Sequence, residues 1–339
     1  MTDHFSTQAV HAGEAKRKPY GALTTPIVQT STYTFAGTAE ILDFMQRKAD
    51  GDPEVRDEYG RYSNPTQSAA EGKLAALEGG ERALLFASGM CAITTTLSTF
   101  LSSGDHVVLA GDCYHRTREF ALTFLNRWGI EATLVSIDQP STFAAAVRPT
   151  TRLIFAETPT NPYLRILDLP SIVDIAGQHD IITIVDSTFA TPINLRPLEC
   201  GIDLVVHSAT KYLGGHNDLL AGVVIGARDV LEAVEHARGV MGGMSNPNDA
   251  YLLLRGLKTL DLRVRRQNMN GQRVAEFLEK HARVRCVYYP GLSSHPDHQV
   301  ARRQMTEFGG VVSFEIEGGF EKTGRFIDLL HLPYIGPTL

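Results

Sequence analysis

Between residues 82 and 225 the chain alternates short apolar, largely β-branched runs with stretches of helical spacing. The runs cover 82–87, 106–109, 132–135, 153–156, 181–185, 204–206 and 222–225, and helices are predicted over 69–77, 91–101, 117–128 and 172–179. Such runs are too short for buried helices and too uniformly apolar for strands wet on one face. Strands buried on both faces and joined by helices predict an α/β architecture with a mostly parallel sheet between helical layers. Residues 1–60 carry many turn formers, including Pro19, Gly21, Pro26, Gly37 and Gly51, and read as an extended arm packed on something else. Residues 61–241 form the large domain. Residues 242–339 are predicted as a smaller α+β domain, with one long helix or a broken pair over 248–281, strands over 284–289 and 311–317, and a helix over 299–305.

Composition removes several function classes. The chain has 339 residues, 43% of them hydrophobic and 21% charged, with a net charge of −6, which is enough for a large core but offers no basic field for nucleic acid. No apolar run approaches the ~20 residues that span a bilayer. Cys91, Cys113, Cys200 and Cys286 lie far apart without a CxxC pair, as expected of reduced thiols in a cytoplasmic protein. The opening Met1-Thr2-Asp3-His4-Phe5 has neither the basic nor the apolar region of a signal peptide. His216, His295, Asp297 and His298 lack a thiolate or carboxylate cluster at ligand spacing, so no metal is expected. A nicotinamide enzyme fits poorly, because no GxGxxG follows a first strand.

Four features point instead to a phosphorylated, aldehyde-bearing cofactor. Lys211 follows Ser208 and Thr210 just beyond the apolar run 202–206, which sets an amine at a sheet rim beside hydroxyls suited to a phosphate ester. A lysine desolvated there has the lowered pKa that imine formation needs. Ser88-Gly89-Met90 lies between a strand and a helix, where a tight turn and free N–H groups make an anion site. Asp186 ends the run 181–185, at the carboxyl end of a buried strand, where a carboxylate can hold a pyridine nitrogen protonated. Tyr114 follows the run 106–109 and is placed to stack on a ring and exchange protons. Each has an ordinary reading as well: a solvated cation, an N-cap serine, a turn-capping aspartate, a core or interface tyrosine. Their shared placement after strands makes the case for pyridoxal 5'-phosphate.

The order of motifs is similar to that of the Cys/Met-metabolism family of fold-type-I pyridoxal phosphate enzymes. The similar segments are 59–66 (YGRYSNPT), 77–80 (LEGG), 87–90 (ASGM), 157–162 (ETPTNP), 185–190 (VDSTFA) and 208–211 (SATK), spread over essentially the whole chain. The resemblance implies that Lys211 carries the cofactor as a Schiff base and shuttles protons on the substrate. It implies that Asp186 pairs with the ring nitrogen and Tyr114 stacks on the ring. Gly89 and Met90, with Ser88, Ser208 and Thr210, would hold the phosphate, and Thr188 and Asn161 would face the cofactor or substrate. Tyr59 and Arg61 would reach the phosphate of a neighbouring subunit, which implies homodimers or homotetramers with shared active sites acting on small amino-acid substrates.

Segments 112–118, 207–218, 246–264 and 288–305 resemble the plant-type cystathionine γ-synthase branch, and Arg116 stands where methionine γ-lyases carry a cysteine. The implied reaction is γ-replacement on an O-activated L-homoserine by L-cysteine, giving L-cystathionine. A γ- or β-eliminating lyase, an O-acylhomoserine sulfhydrylase and a non-catalytic cofactor-binding subunit remain as alternatives. Family members extend several tens of residues past the position of Leu339, into a segment that contributes the substrate-carboxylate arginine. The resemblance therefore implies a small domain that is incomplete as given.

Overall fold

The computed structural model describes residues 4–52, 55–336 and 338. All seven expected runs are strands of one sheet: β1 (Arg82–Phe86), β2 (His106–Ala110), β3 (Glu131–Val135), β4 (Thr151–Glu157), β5 (Ile182–Asp186), β6 (Leu204–His207) and β7 (Gly222–Gly226). Their order is β1-β7-β6-β5-β4-β2-β3. Strands β2 to β6 pair in parallel, and β7 runs antiparallel to both β1 and β6. Strand β1 therefore points the same way as the parallel five, and six carboxyl ends share one edge.

Alternation along each strand sorts side chains to two helical layers. Phe86, Leu109, Phe155, Ile184 and Val206 pack on one face against Ala92 and Leu97 of the helix Gly89–Phe100 and Leu231 of the helix Arg228–Met241. On the other face, Leu85, Val223 and Ile225 meet the helix Pro65–Glu78, while Val108, Ile154 and Val185 meet the helix Leu169–Gly177. Apart from the edge strand β3, the sheet is dry on both sides, which is why its strands read as largely apolar runs.

Capping fixes the helices that matter for the site. The Asn64 side chain accepts from the Thr66 N–H at 2.9 Å, Pro65 occupies the first helical position, and Gly79 (φ 76°) closes the helix in the left-handed region. The Ser88 hydroxyl accepts from the Cys91 N–H at 3.1 Å and starts the next helix directly after β1.

Several local expectations change. The described part of the arm is not simply extended: it contains the helices Phe5–His11 and Thr38–Ala49. The first tucks Ala9 into the core beside Ala70 and Leu74, and the second is held by Phe44 against Phe35 at 5.3 Å. The predicted helix over 117–128 begins earlier, as His115–Glu119, and widens to a π-helix over Phe120–Leu125. The long segment after Gly242 is a broken pair, Pro247–Leu257 and Leu260–Glu279, with Thr259 between them. The first of the pair packs Ala250, Leu253 and Leu257 into the same cluster as Ala70 and Leu74. Farther on, β8 (Val284–Tyr288) pairs antiparallel with β9 (Ser313–Ile316). Helices Arg228–Met241 and Gly319–Asp328 were not expected; charged residues interrupt their apolar spacing. No helix among the described residues is long and apolar enough to cross a membrane. Among those residues no group of three or more His, Cys, Asp or Glu is placed to hold a metal ion.

Candidate active site

The carboxyl edge of the sheet gathers most of the residues singled out from sequence. Ser88 follows β1, Tyr114 follows β2, Asn161 follows β4, Asp186 ends β5 with Thr188 just beyond it, and Ser208 to Lys211 follow β6. Side-chain parity adds a second constraint: Asp186 is on the face of Ile184, two residues before it, and so faces the helix Gly89–Phe100. In an open α/β sheet this edge is where ligands bind.

Asp186, Thr188 and Ser208 form a connected frame. Asp186 Oδ1 accepts from the Thr188 N–H at 3.0 Å and the Thr188 hydroxyl at 2.5 Å, and the Ser208 N–H donates to Thr188 Oγ1 at 2.8 Å. Asp186 is 7% exposed, and its Oδ2 accepts no hydrogen bond from a described residue. Burial pushes this carboxyl above the ordinary aspartate range, while the two bonds from Thr188 and the nearby His207 pull it back. A buried carboxylate with one oxygen committed and one open is suited to the N–H of a cationic ring.

Next to this frame, the helix Gly89–Phe100 presents the N–H groups of Gly89 and Met90, which have no intrahelical acceptor. The helix end sits tight against the lysine loop: a Cβ built on Gly89 falls 2.9 Å from the Ser208 Cβ. From the other side, a Cβ on Gly222 falls 2.2 Å from the Ser88 carbonyl oxygen. Gly222→Ala should therefore cost about 1–3 kcal/mol through overpacking. Urea denaturation checks this, and an unchanged midpoint would contradict the close approach.

The lysine loop is a turn in which the Lys211 N–H donates to the Ser208 carbonyl at 3.0 Å. Lys211 Nζ donates to the Thr338 hydroxyl, and burial lowers its pKa below the usual lysine value. The Thr210 hydroxyl is engaged on both sides by Ala221, donating to its carbonyl at 3.2 Å and accepting from its N–H at 3.0 Å. Its first task here is to tie the lysine loop to the start of β7. The Tyr114 ring is 42% exposed, with its edge packed by His115 at 4.6 Å.

Two predicted residues stay apart from this cluster, and a third, Asn161, stands at its rim. Asn161 is exposed in the loop after β4. Tyr59 and Arg61 line a separate cleft of about 410 Å³ with Gln29, Ser31, Asn64 and Met244, where Arg61 donates to the Gly239 carbonyl. Sequence reasoning missed Glu157, the last residue of β4, which is 7% exposed and register partner of Asp186. A strand-end glutamate reads as solvated until the neighbouring strand is known to end beside it.

Comparison with known proteins fits this arrangement. Residues 6–339 match the family described as "Cys/Met metabolism PLP-dependent enzyme". The chain belongs to the Cys/Met-metabolism family of pyridoxal phosphate-dependent enzymes. Among its relatives, the chloroplastic cystathionine gamma-synthase 1 of Arabidopsis thaliana is 48% identical over 332 residues, 97% of this chain and 58% of the relative. An L-methionine gamma-lyase of Porphyromonas gingivalis is 43% identical over 342 residues, 100% of this chain and 84% of the relative. The solved cystathionine gamma synthase of Xanthomonas oryzae, in complex with aminoacrylate and cysteine, superposes with a TM-score of 0.92 at 35% identity, covering 99% of this chain and 84% of that one. The chain thus spans 58% of this Arabidopsis relative and 61% of the chloroplastic cystathionine gamma-synthase 1 of Nicotiana tabacum. For this family member, the frame of Asp186, Thr188 and Ser208, with the open Oδ2 and the glycine-permitted helix end, fits pyridoxal phosphate.

Proposed function

We propose that this family member catalyses γ-replacement on an O-activated L-homoserine with L-cysteine, forming L-cystathionine. The reading is supported chiefly by 48% identity to a plant γ-synthase over nearly the whole chain, together with the Asp186–Ser208 frame. Pyridoxal phosphate, when bound, supplies an electron sink for carbanion chemistry at the substrate. The chain's own residues do the rest. Asp186 Oδ2 holds the ring nitrogen as its protonated, more electron-withdrawing form. Gly89 and Met90 amides, with the Ser208 hydroxyl, hold the phosphate, and Ser88 and Thr210 brace the two loops that carry them. Tyr114 covers the ring face, and Asn161 lies at the rim to meet the substrate. Lys211, kept more readily neutral by burial, takes the proton from the substrate Cα and returns it there once the γ-oxygen substituent has left and the cysteine sulfur has bonded to Cγ, with a Cβ proton removed and restored in between.

In this reading residues 1–60 serve the neighbouring subunit, 61–241 hold the cofactor, and 242–339 cover the substrate side. The four cysteines are free, in keeping with a reducing cytoplasm. Tyr59 and Arg61, remote from Lys211 within one protomer, reach the phosphate of a second protomer in a dimer, with dimers pairing into tetramers. Arg61→Ala and Lys211→Ala are each expected to be inactive alone. Mixed and reassembled, they should regain activity, because each hybrid dimer holds one intact site. Absence of recovery in verified hybrids contradicts the shared site.

The 43% identity to a methionine γ-lyase favours a second reading, elimination from cystathionine or methionine. Product analysis separates the two. Cystathionine formed from O-phospho-, O-acetyl- or O-succinylhomoserine plus cysteine supports replacement. Keto acid and ammonia from cystathionine or methionine alone, with no cystathionine made, supports the lyase.

A further inference from the structure

Glu157 has no place in the mechanism above, yet it is among the most enclosed acids in the molecule. It ends β4, and its register partner across the parallel ladder is Asp186 at the end of β5. Phe155 and Leu153, two and four residues earlier, pack on the same face as Ile184, so the two carboxyl side chains leave the sheet side by side. Glu157 Oε2 accepts the Tyr114 backbone N–H at 2.7 Å. One side chain therefore touches the backbone of the ring-stacking tyrosine and stands next to the ring-nitrogen carboxylate.

From this geometry we infer that Glu157 is a positioning residue which, as a neutral carboxylic acid, fixes the height of Tyr114 and leaves Asp186 the sole negative charge under the cofactor ring. The inference rests on the proposed cofactor site.

Two adjacent carboxylates in a dry site do not both ionise readily, because like charges at that range repel strongly where water does not screen them. The groups around the pair decide which one keeps the proton. Asp186 receives two hydrogen bonds from Thr188, and His207 of β6, which points to the other face of the sheet, also favours its charge. Glu157 has one bond, from Tyr114; Arg118 favours its charge, while Asp112 and Asp186 oppose it. Buried Cys113 lies alongside, its thiol pushed up by burial and by Glu157, so it adds no charge of its own. Burial raises Glu157 well above the ordinary glutamate range, and Asp186 is the next largest cause. The two are equally buried, so Asp186, with two hydrogen bonds against one, takes the charge and Glu157 takes the proton.

The test begins on the cofactor-free full chain. Infrared spectra at neutral pH should contain the carbonyl stretch of a buried neutral carboxylic acid, and E157Q should remove it. Pyridoxal phosphate affinity is then measured by titration for E157Q and E157A. Glutamine keeps an oxygen for the Tyr114 N–H and carries no charge, so E157Q should bind the cofactor on the order of tenfold more tightly than E157A. The absorbance of the bound cofactor against pH should change little in E157Q. A spectrum without a neutral acid band, or E157Q as damaging as E157A, overturns the assignment. Failure of every form to bind pyridoxal phosphate would instead overturn the cofactor site, while the infrared result still speaks for Glu157.

Discussion

Lys211→Ala should lower turnover on the order of a thousandfold or more, with the fold intact. Two functions disappear together. The cofactor loses its covalent anchor, and the substrate Cα loses the base that removes and returns its proton. Stability should change little, because the side chain stands at a loop at the sheet rim and packs no core cluster. The amine is also chemically prepared for the role, since burial makes it neutral at lower pH than a free lysine. The check is a pair of measurements on one preparation: turnover with O-activated homoserine and cysteine, and the thermal midpoint. A variant that retains more than a tenth of the activity removes Lys211 from the chemistry. A variant that loses activity only because it unfolds is recognised by its midpoint.

Asp186→Ala is the second large effect, with an expected loss on the order of a hundredfold or more in turnover. Without the carboxylate the ring nitrogen is no longer held protonated, and its power to withdraw electrons falls. Near-normal turnover in this variant contradicts the role. The stability consequence of the same residue has a defined sign. Burial raises the Asp186 carboxyl in the folded chain, so the cofactor-free protein binds its proton to higher pH than the unfolded chain does. In the window between the ordinary aspartate value and the raised one, the native state holds more protons, and stability falls as pH rises. Asp186→Asn removes its share of that slope, leaving the part due to Glu157, and keeps an oxygen for the two bonds from Thr188. The cofactor-free Asn variant should therefore be at least as stable as the parent at neutral pH, while the Ala variant leaves the Thr188 donors unpartnered. Urea denaturation across the acid-to-neutral range reads the difference. An Asn variant that is less stable at neutral pH than the parent contradicts a burdened carboxylate.

The strands were legible because the central part of the sheet is dry on both faces, so apolar, largely β-branched residues dominate β2, β5 and β7. The helix ends were legible where a cap stands, as at Ser88. Helices Thr38–Ala49 and Arg228–Met241 were not legible; charged residues are interspersed among their apolar ones, and the first buries only Phe44. Within the site, residues that follow strands could be read because strand ends converge in space. What sequence could not supply is the order of strands. Only the neighbouring ends of β4 and β5 turn Glu157 from a surface acid into a partner of Asp186. The same limit applies to Thr210, whose hydroxyl is drawn to Ala221 by the return of β7 beside the lysine loop. Tyr59 and Arg61 were singled out by resemblance alone; they line a cleft that Lys211 does not share, which is what the proposal of a shared site accounts for.

The central claim is that one lysine, Lys211, is joined to the cofactor. Borohydride reduction of the protein incubated with pyridoxal phosphate, followed by proteolysis and mass mapping, tests it directly. Lys211 should carry the reduced pyridoxyl phosphate, with nothing on Lys73, the buried lysine that is already paired with Glu14. A label on any other lysine, or no label on a protein that binds the cofactor, would contradict the account.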